Sequence, residues 1–291
     1  DCSKDSSAMA TIQNIRAQHK NVKYWIQEKN LGVGANKSFL LEQVRDIGLQ
    51  RTDFVTFLDA DDMLAQNCMQ LRSDAFEQNL TVDAIGGQLH LMSNDTNSSV
   101  VDTFYVDSDL AKIANIFECQ LYGSNCTFRG EVFLKHNNFP DVPYNDDWMF
   151  CALNKINFTH LPQVTLHYRR HAFNNTNAPV KGAQYEHRKF IRNLQLVDLG
   201  IILTEEENLL LDKIGFLVFK QEIKDELVTF RSDVSMPWFN TLTRGEHLRQ
   251  IQISFEKLKG KLISKNSIHC VFHGQKLKTF LNGISSQLHR I

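Results

Sequence analysis

The clearest chemistry in the chain sits in four consecutive residues, Asp59-Ala60-Asp61-Asp62, which follow the apolar run Phe54-Val55-Thr56-Phe57-Leu58. Side chains alternate along an extended chain, so Asp59 and Asp61 can face one crevice while Ala60 turns away. Two such carboxylates suit a hard divalent cation, Mn2+ or Mg2+, that keeps positions open for phosphate oxygens. Other acidic loops are excluded by spacing. A calcium loop counted from Asp59 needs Gly where Leu64 stands and Glu where Gln70 stands. The strand-Asp-x-Asp-x-Thr/Val pattern of aspartyl-phosphate phosphatases meets Met63 at its fifth position. A solvated acidic turn after a strand stays open as the plainer alternative.

Three further groups carry candidates. In Asn145-Asp146-Asp147-Trp148, Asp147 stands near the start of a predicted helix, where a carboxylate meets the positive end of the helix dipole and serves either as a base or as a cap. Trp148 offers an aromatic face for a sugar or fills the core. In Tyr168-Arg169-Arg170-His171, the histidine is a metal ligand or a surface residue. Gly32 and Gly34, within Asn30-Leu31-Gly32-Val33-Gly34-Ala35-Asn36, mark either ordinary turns or a loop whose backbone approaches a phosphate group.

Alternating strand and helix patterns must position these residues, and they predict a mainly parallel sheet covered on both faces. Strands are expected at 22–26, 54–58, 84–91, 121–128 and 164–168, the second as a fully buried central strand. Helices are expected at 39–47, from Glu131, and from Asp146 to about residue 156. Beyond about residue 181 the period turns helical. Thr204 and Glu207 form a capping box, and Leu248, Ile251, Phe255, Leu258 and Leu262 share one helical face.

A chain of 291 residues with a net charge of −1 is no strongly basic nucleic-acid binder. Its six cysteines lie far apart, as expected of reduced thiols in a cytoplasmic protein. No apolar run reaches the length of a membrane helix. After Glu256 no acidic residue follows, while Lys257, Lys259, Lys261, Lys265, Lys276, Lys278 and Arg290 do. Such a tail is a solvated face or rests peripherally on an anionic membrane.

Taken in order, Asp1-x-Ser3-x-Asp5, the 30–36 segment, Phe57-Leu58-Asp59-Ala60-Asp61-Asp62, Asn145-Asp146-Asp147-Trp148 and Tyr168-Arg169-Arg170-His171 resemble the ordered motifs of family-2 inverting glycosyltransferases. The resemblance covers about residues 1–178. It implies an α/β, GT-A (Rossmann-like) nucleotide-sugar-binding domain over 1–180 that lacks its first strand, followed by a helical C-terminal extension over 181–291. The resemblance further implies that Asp1, Asn36 and Asp59 contact the nucleotide-sugar, and that Asn36 lies in a loop closing over it. Asp59, Asp61 and His171 are the implied ligands of Mn2+ or Mg2+, and Asp147 the implied general base. The apolar first strand and Pro-x-Tyr/Phe-Asn-type loop of that family are absent here, and Asp146 stands where Glu is more usual.

The chemistry suits these residue types. An inverting transfer is an in-line displacement that needs a base on the acceptor side and charge stabilisation at the departing diphosphate. The expected donor is a nucleotide-diphosphate sugar, UDP-linked first, and the acceptor a glycan or lipid-linked glycan of bacterial surface polysaccharide synthesis. Two alternatives stay open: a nucleotidyltransferase, which would want a basic Gly-rich phosphate loop, and a non-catalytic carbohydrate-binding domain.

Overall fold

A computed structural model of the chain describes residues 6–93, 100–102, 104–136, 138–170, 182–197, 201–215, 244–264 and 274–290. It is a mixed α/β fold. Six strands, β1 (Phe54–Thr56), β2 (Met63–Leu64), β3 (Ala84–Ser93), β4 (Val100–Asp102), β5 (Thr127–Arg129) and β6 (Phe158–Arg170), form one sheet in the order β1-β5-β3-β6-β2, with β4 also on β3. The helices are α1 (Ser6–Gln18), α2 (Val33–Asp46), α3 (Cys68–Gln78), α4 (Ser108–Phe117), α5 (Gly130–Lys135), α6 (Asp146–Leu153), α7 (Gly182–Val197), α8 (Glu205–Ile214), α9 (Arg244–Ser264) and α10 (Gly274–Arg290).

Of the described pairings only β3 with β6 is parallel, which corrects the expected mainly parallel sheet. Strand–helix alternation indicates where connections run, but β3 pairs with β6, far along the chain, and the short strands β1, β2, β4 and β5 all add antiparallel. The β3–β6 pair is the spine, from Ala84 opposite Phe158 to Ser93 opposite Arg170. Its close middle explains Gly86-Gly87: a Cβ at Gly86 would stand 2.5 Å from His160 Nδ1, and one at Gly87 2.4 Å from the Thr165 side chain.

Three local expectations change. Residues 22–26 form no strand. The 54–58 run is an edge strand of three residues and not a buried central one: Val55 and Phe57 pack inward, while Leu58 is 48% exposed. A continuous apolar run fits an edge strand equally well when it finds a partner on each face, and here Phe54 stacks on Phe76 with ring centroids 4.7 Å apart. In 121–128, residues Gly123–Asn125 turn as a 3₁₀ helix, leaving only β5 as strand. Helix α2 begins earlier than expected because Gly32, at φ +81, ends the preceding turn and its N–H donates to Asn30 Oδ1 at 2.8 Å.

Two large apolar clusters stabilise this arrangement by burial. One joins Leu41, Ala84, Phe128, Phe133, Phe150 and Phe158, with Phe57 edge-on to Phe128, Phe133 and Phe139. The other joins Ile113, Ile116 and Phe117 of α4 to Leu211 of α8, Phe255 and Leu258 of α9, and Leu281 and Ile284 of α10. The Thr204–Glu207 capping box forms as expected, with Thr204 N–H on Glu207 Oε2 and Glu207 N–H on Thr204 Oγ1.

Candidate functional site

Residues 57–62 leave the sheet at the end of β1 and return in β2. Phe57 anchors the start of the turn in the aromatic cluster. The Asp62 N–H closes it on the Asp59 carbonyl at 3.1 Å. The end of β6 grips the other side: the Arg169 backbone N–H donates to Asp62 Oδ1 at 2.9 Å, and Arg169 Nε to the Asp61 carbonyl at 3.0 Å. The strand end bearing Tyr168-Arg169 therefore holds the acidic turn in place.

Asp62 is buried, and among the described residues its Oδ2 has no hydrogen-bond partner. Desolvation pushes its carboxyl up to about 6 against the Arg169 N–H, with Asp59 and Asp61 adding to the rise and Ser124 opposing it. Asp59 is exposed by surface area, yet protein surrounds it closely enough that partial desolvation raises its pKa. Lys37 opposes that rise, and Asp147 and Asp61 add to it. These linked effects bring Lys37, Asp59, Asp61, Asp62 and Asp147 into one electrostatic group.

On the opposite wall, α2 presents Lys37, whose Nζ bridges Asp146 Oδ2 at 2.8 Å and Asp147 Oδ1. Burial works against the ammonium, but the two carboxylates outweigh it and hold its pKa above the ordinary lysine range. Asp146 is pushed up to about 6 by burial first and by Asp147 second, against Lys37. Asp147 Oδ2 accepts the Gly123 N–H at 2.8 Å, and a Cβ on Gly123 would stand 2.6 Å from the carboxylate. A side chain at 123 would push Asp147 away.

The capping alternative for Asp147 and the two readings of Trp148 now separate. Asn145 occupies the N-cap of α6 at φ 60 without a side-chain capping bond. Trp148 is fully buried, its Nε1–H on the Asn115 carbonyl at 2.9 Å, and the Arg188 and Arg192 guanidinium groups lie 5.5 and 5.8 Å from its ring centroid. It is core and offers no face to a sugar.

Of the expected site residues, Asp59, Asp61 and Asp147 come together. Asn36 lies in the first turn of α2, beside Lys37, and not in a loop. Asp1 and His171 lie outside the described residues. Lys37 and Asp62 were absent from the expected set. Their signals were a lysine directly after the glycine-containing stretch and a third carboxylate in the same run.

Among the described residues no three or more His, Cys, Asp or Glu are grouped to hold a metal ion. The donor set of the turn nevertheless fits Mn2+ or Mg2+. Asp62 Oδ2, which has no hydrogen-bond partner among the described residues, and the mutually repelling carboxylates call for positive charge, and such an ion needs only one or two carboxylates beside water and phosphate oxygens.

No protein-family model matches the chain, and no curated protein is similar to it in sequence. Solved structures are similar in fold. Residues 1–349 of S. aureus TarS, a glycosyltransferase, superpose with a TM-score of 0.51 at 14% identity, covering 100% of this chain and 80% of that one. The chain has a GT-A-type glycosyltransferase fold. A longer S. aureus TarS structure gives a TM-score of 0.49 at 15% identity and covers 100% of this chain and 47% of that one. The mannosyltransferase PcManGT from Pyrobaculum calidifontis, in complex with GDP-Man and Mn2+, gives 0.43 at 11% identity, over 99% and 76% of the two chains.

Proposed function

We propose that the chain is a metal-dependent inverting glycosyltransferase of the family-2 type. In this reading it moves a sugar from a nucleotide-diphosphate donor, a UDP-sugar first, to a glycan or lipid-linked acceptor of bacterial surface polysaccharide. One observation carries the proposal: the α2 start, the acidic turn, the Asp146-Asp147 pair and the end of β6 converge on one place from four distant parts of the chain.

In this reading Asp147 is the general base. Lys37 and the Gly123 N–H each engage one of its oxygens, which fixes the carboxylate's direction. A carboxylate oxygen accepts more than one hydrogen bond, so both retain capacity for the acceptor hydroxyl proton. Asp59 and Asp61, with His171, would hold Mn2+ or Mg2+, and Asp1, Asn36 and Asp59 the nucleotide-sugar. The ion supplies positive charge to the departing diphosphate. Residues 1–180 carry this chemistry and 181–291 form a helical extension. The enzyme works in the cytoplasm, in peripheral contact with an anionic membrane.

The test is release of nucleoside diphosphate from UDP-, dTDP- and GDP-sugars with Mn2+, with EDTA, and in Asp61→Ala. Turnover of one donor is expected with Mn2+, and loss in both other arms with the circular dichroism spectrum unchanged. Full activity in EDTA would reject the metal-dependent reading.

A further inference from the structure

On the face of the sheet opposite the apolar cluster of Leu64, Leu89, Leu91, Leu166 and Tyr168, the same three strands carry a different set of side chains. Alternation along a strand puts Met63, His90, Met92 and His167 together there. The register makes them neighbours: Met63 stands opposite His167 on one side, and His90 opposite His167 on the other, with Met92 two residues beyond His90. The two imidazoles already meet, Nδ1 to Nδ1 at 2.9 Å, with their rings nearly perpendicular. Met63 is 49% exposed, and both histidines and Met92 are half-buried, so the group is open to solvent.

We propose that His90, His167, Met63 and Met92 form a binding site for a soft monovalent metal ion, copper(I) by its chemical class. Imidazole and thioether donors together select copper(I) over the hard ions that suit the acidic turn. All four donors are neutral, and Arg169, two residues beyond His167 and opposite Met92, adds a cation nearby. That field favours an ion of low charge. Bonds of about 2.0 Å to each imidazole, at about 120° to one another, place the nitrogens about 3.5 Å apart. The present contact needs only a small ring rotation to open that far, and the thioethers on either side complete the shell. The site is distinct from the proposed Mn2+ or Mg2+ position and does not depend on the glycosyltransferase reading.

The test is nuclear magnetic resonance of the protein carrying methyl-13C methionine, titrated without oxygen with copper(I) supplied as its acetonitrile complex. Met63→Leu and Met92→Leu assign the two methyl signals. Both signals are expected to shift and to saturate at one equivalent, and Mg2+ at the same concentration is expected to leave them in place. Competition against a chromophoric copper(I) chelator is expected to show affinity reduced tenfold or more in His90→Gln with His167→Gln, and reduced in Met63→Leu, an exposed change that spares the fold. Accessible cysteine thiols are alkylated in every protein beforehand, with the circular dichroism spectrum unchanged, because thiolate would otherwise take copper(I) ahead of imidazole and thioether. Unmoved methyl signals, or affinity unchanged by the double histidine replacement, would overturn the site.

Discussion

Lys37 is a buried cation shared by two adjacent carboxylates, and the two are unlike. Asp147 turns toward the Gly123 N–H, while Asp146 is enclosed. Replacing Asp147 by Asn keeps an acceptor for Gly123 but removes the ability to take a proton. Transfer is expected to fall by roughly 10²-fold or more, while Mn2+-dependent nucleotide binding measured by calorimetry persists. Near-normal transfer would reject Asp147 as the base. Asp146 gives a stability prediction. Burial pushes its carboxyl up to about 6 in the folded protein from the ordinary aspartate value of 3.8 in the unfolded chain, so between these values the folded state holds the extra proton. Its contribution is fully present below pH 3.8 and is lost as pH rises through about 6. Asp146→Asn lacks this loss. Urea unfolding of the two proteins is expected to favour the variant increasingly from pH 4 to 7, by a change on the order of 2 kcal/mol. A difference that stays constant with pH would contradict the assignment.

At the scale of elements, α6 is only eight residues long, too short to fix its own direction, so its packing must aim Asp147. Trp148 provides that packing. The guanidinium groups over its ring are held in turn by buried acids: Arg188 by Glu118 and Asp212, and Arg192 by Asp212. Arg188→Met keeps most of the volume but removes the guanidinium that Glu118 and Asp212 share. A loss of about 3–5 kcal/mol is expected from urea unfolding, the usual result of breaking a buried pair. A loss below 1 kcal/mol would mean that water already reaches the cluster. Much of this scale was legible in sequence. The Thr204–Glu207 box, the start of α6 and the strand at β3 each rest on local signals: a side chain three residues from its partner, or a regular apolar period. What could not be read was set by distant partners. Lys37 follows the glycine-containing stretch, but its partner Asp146 lies 109 positions away and cannot be read from the residues around it. The 3₁₀ turn at Gly123 exists where Asp147 arrives, and the 54–58 run became an edge strand through neighbours that its own residues do not specify.

For the molecule as a whole, the C-terminal charge asymmetry can now be weighed against packing. Helices α9 and α10 bury Phe255, Leu258, Leu262, Leu277, Phe280, Leu281 and Ile284, so these apolar residues are already occupied, while the side chains of Leu248 and Ile251 lie outside the described ones. No described helix is long and apolar enough to cross a bilayer. Among the described side chains of these helices, the exposed Lys257 and Lys278 offer charge to a membrane. Binding is therefore expected to be purely electrostatic: sedimentation with phosphatidylserine vesicles at low salt, release as the screening length shortens to about 10 Å near 0.1 M salt, and none with phosphatidylcholine. Equal sedimentation with both lipids would contradict a charge-only contact.

The cluster that unites α4 with α8, α9 and α10 also bears on how the molecule can move. Ile113, Ile116 and Phe117 lie in the chain between the acidic turn and Asp147, yet they share their apolar surroundings with side chains near the C-terminus. Swinging the C-terminal helices away would tear that cluster open and expose its apolar side chains to water. Any opening of the crevice must leave that cluster intact, so the helices behind it act as a fixed anvil.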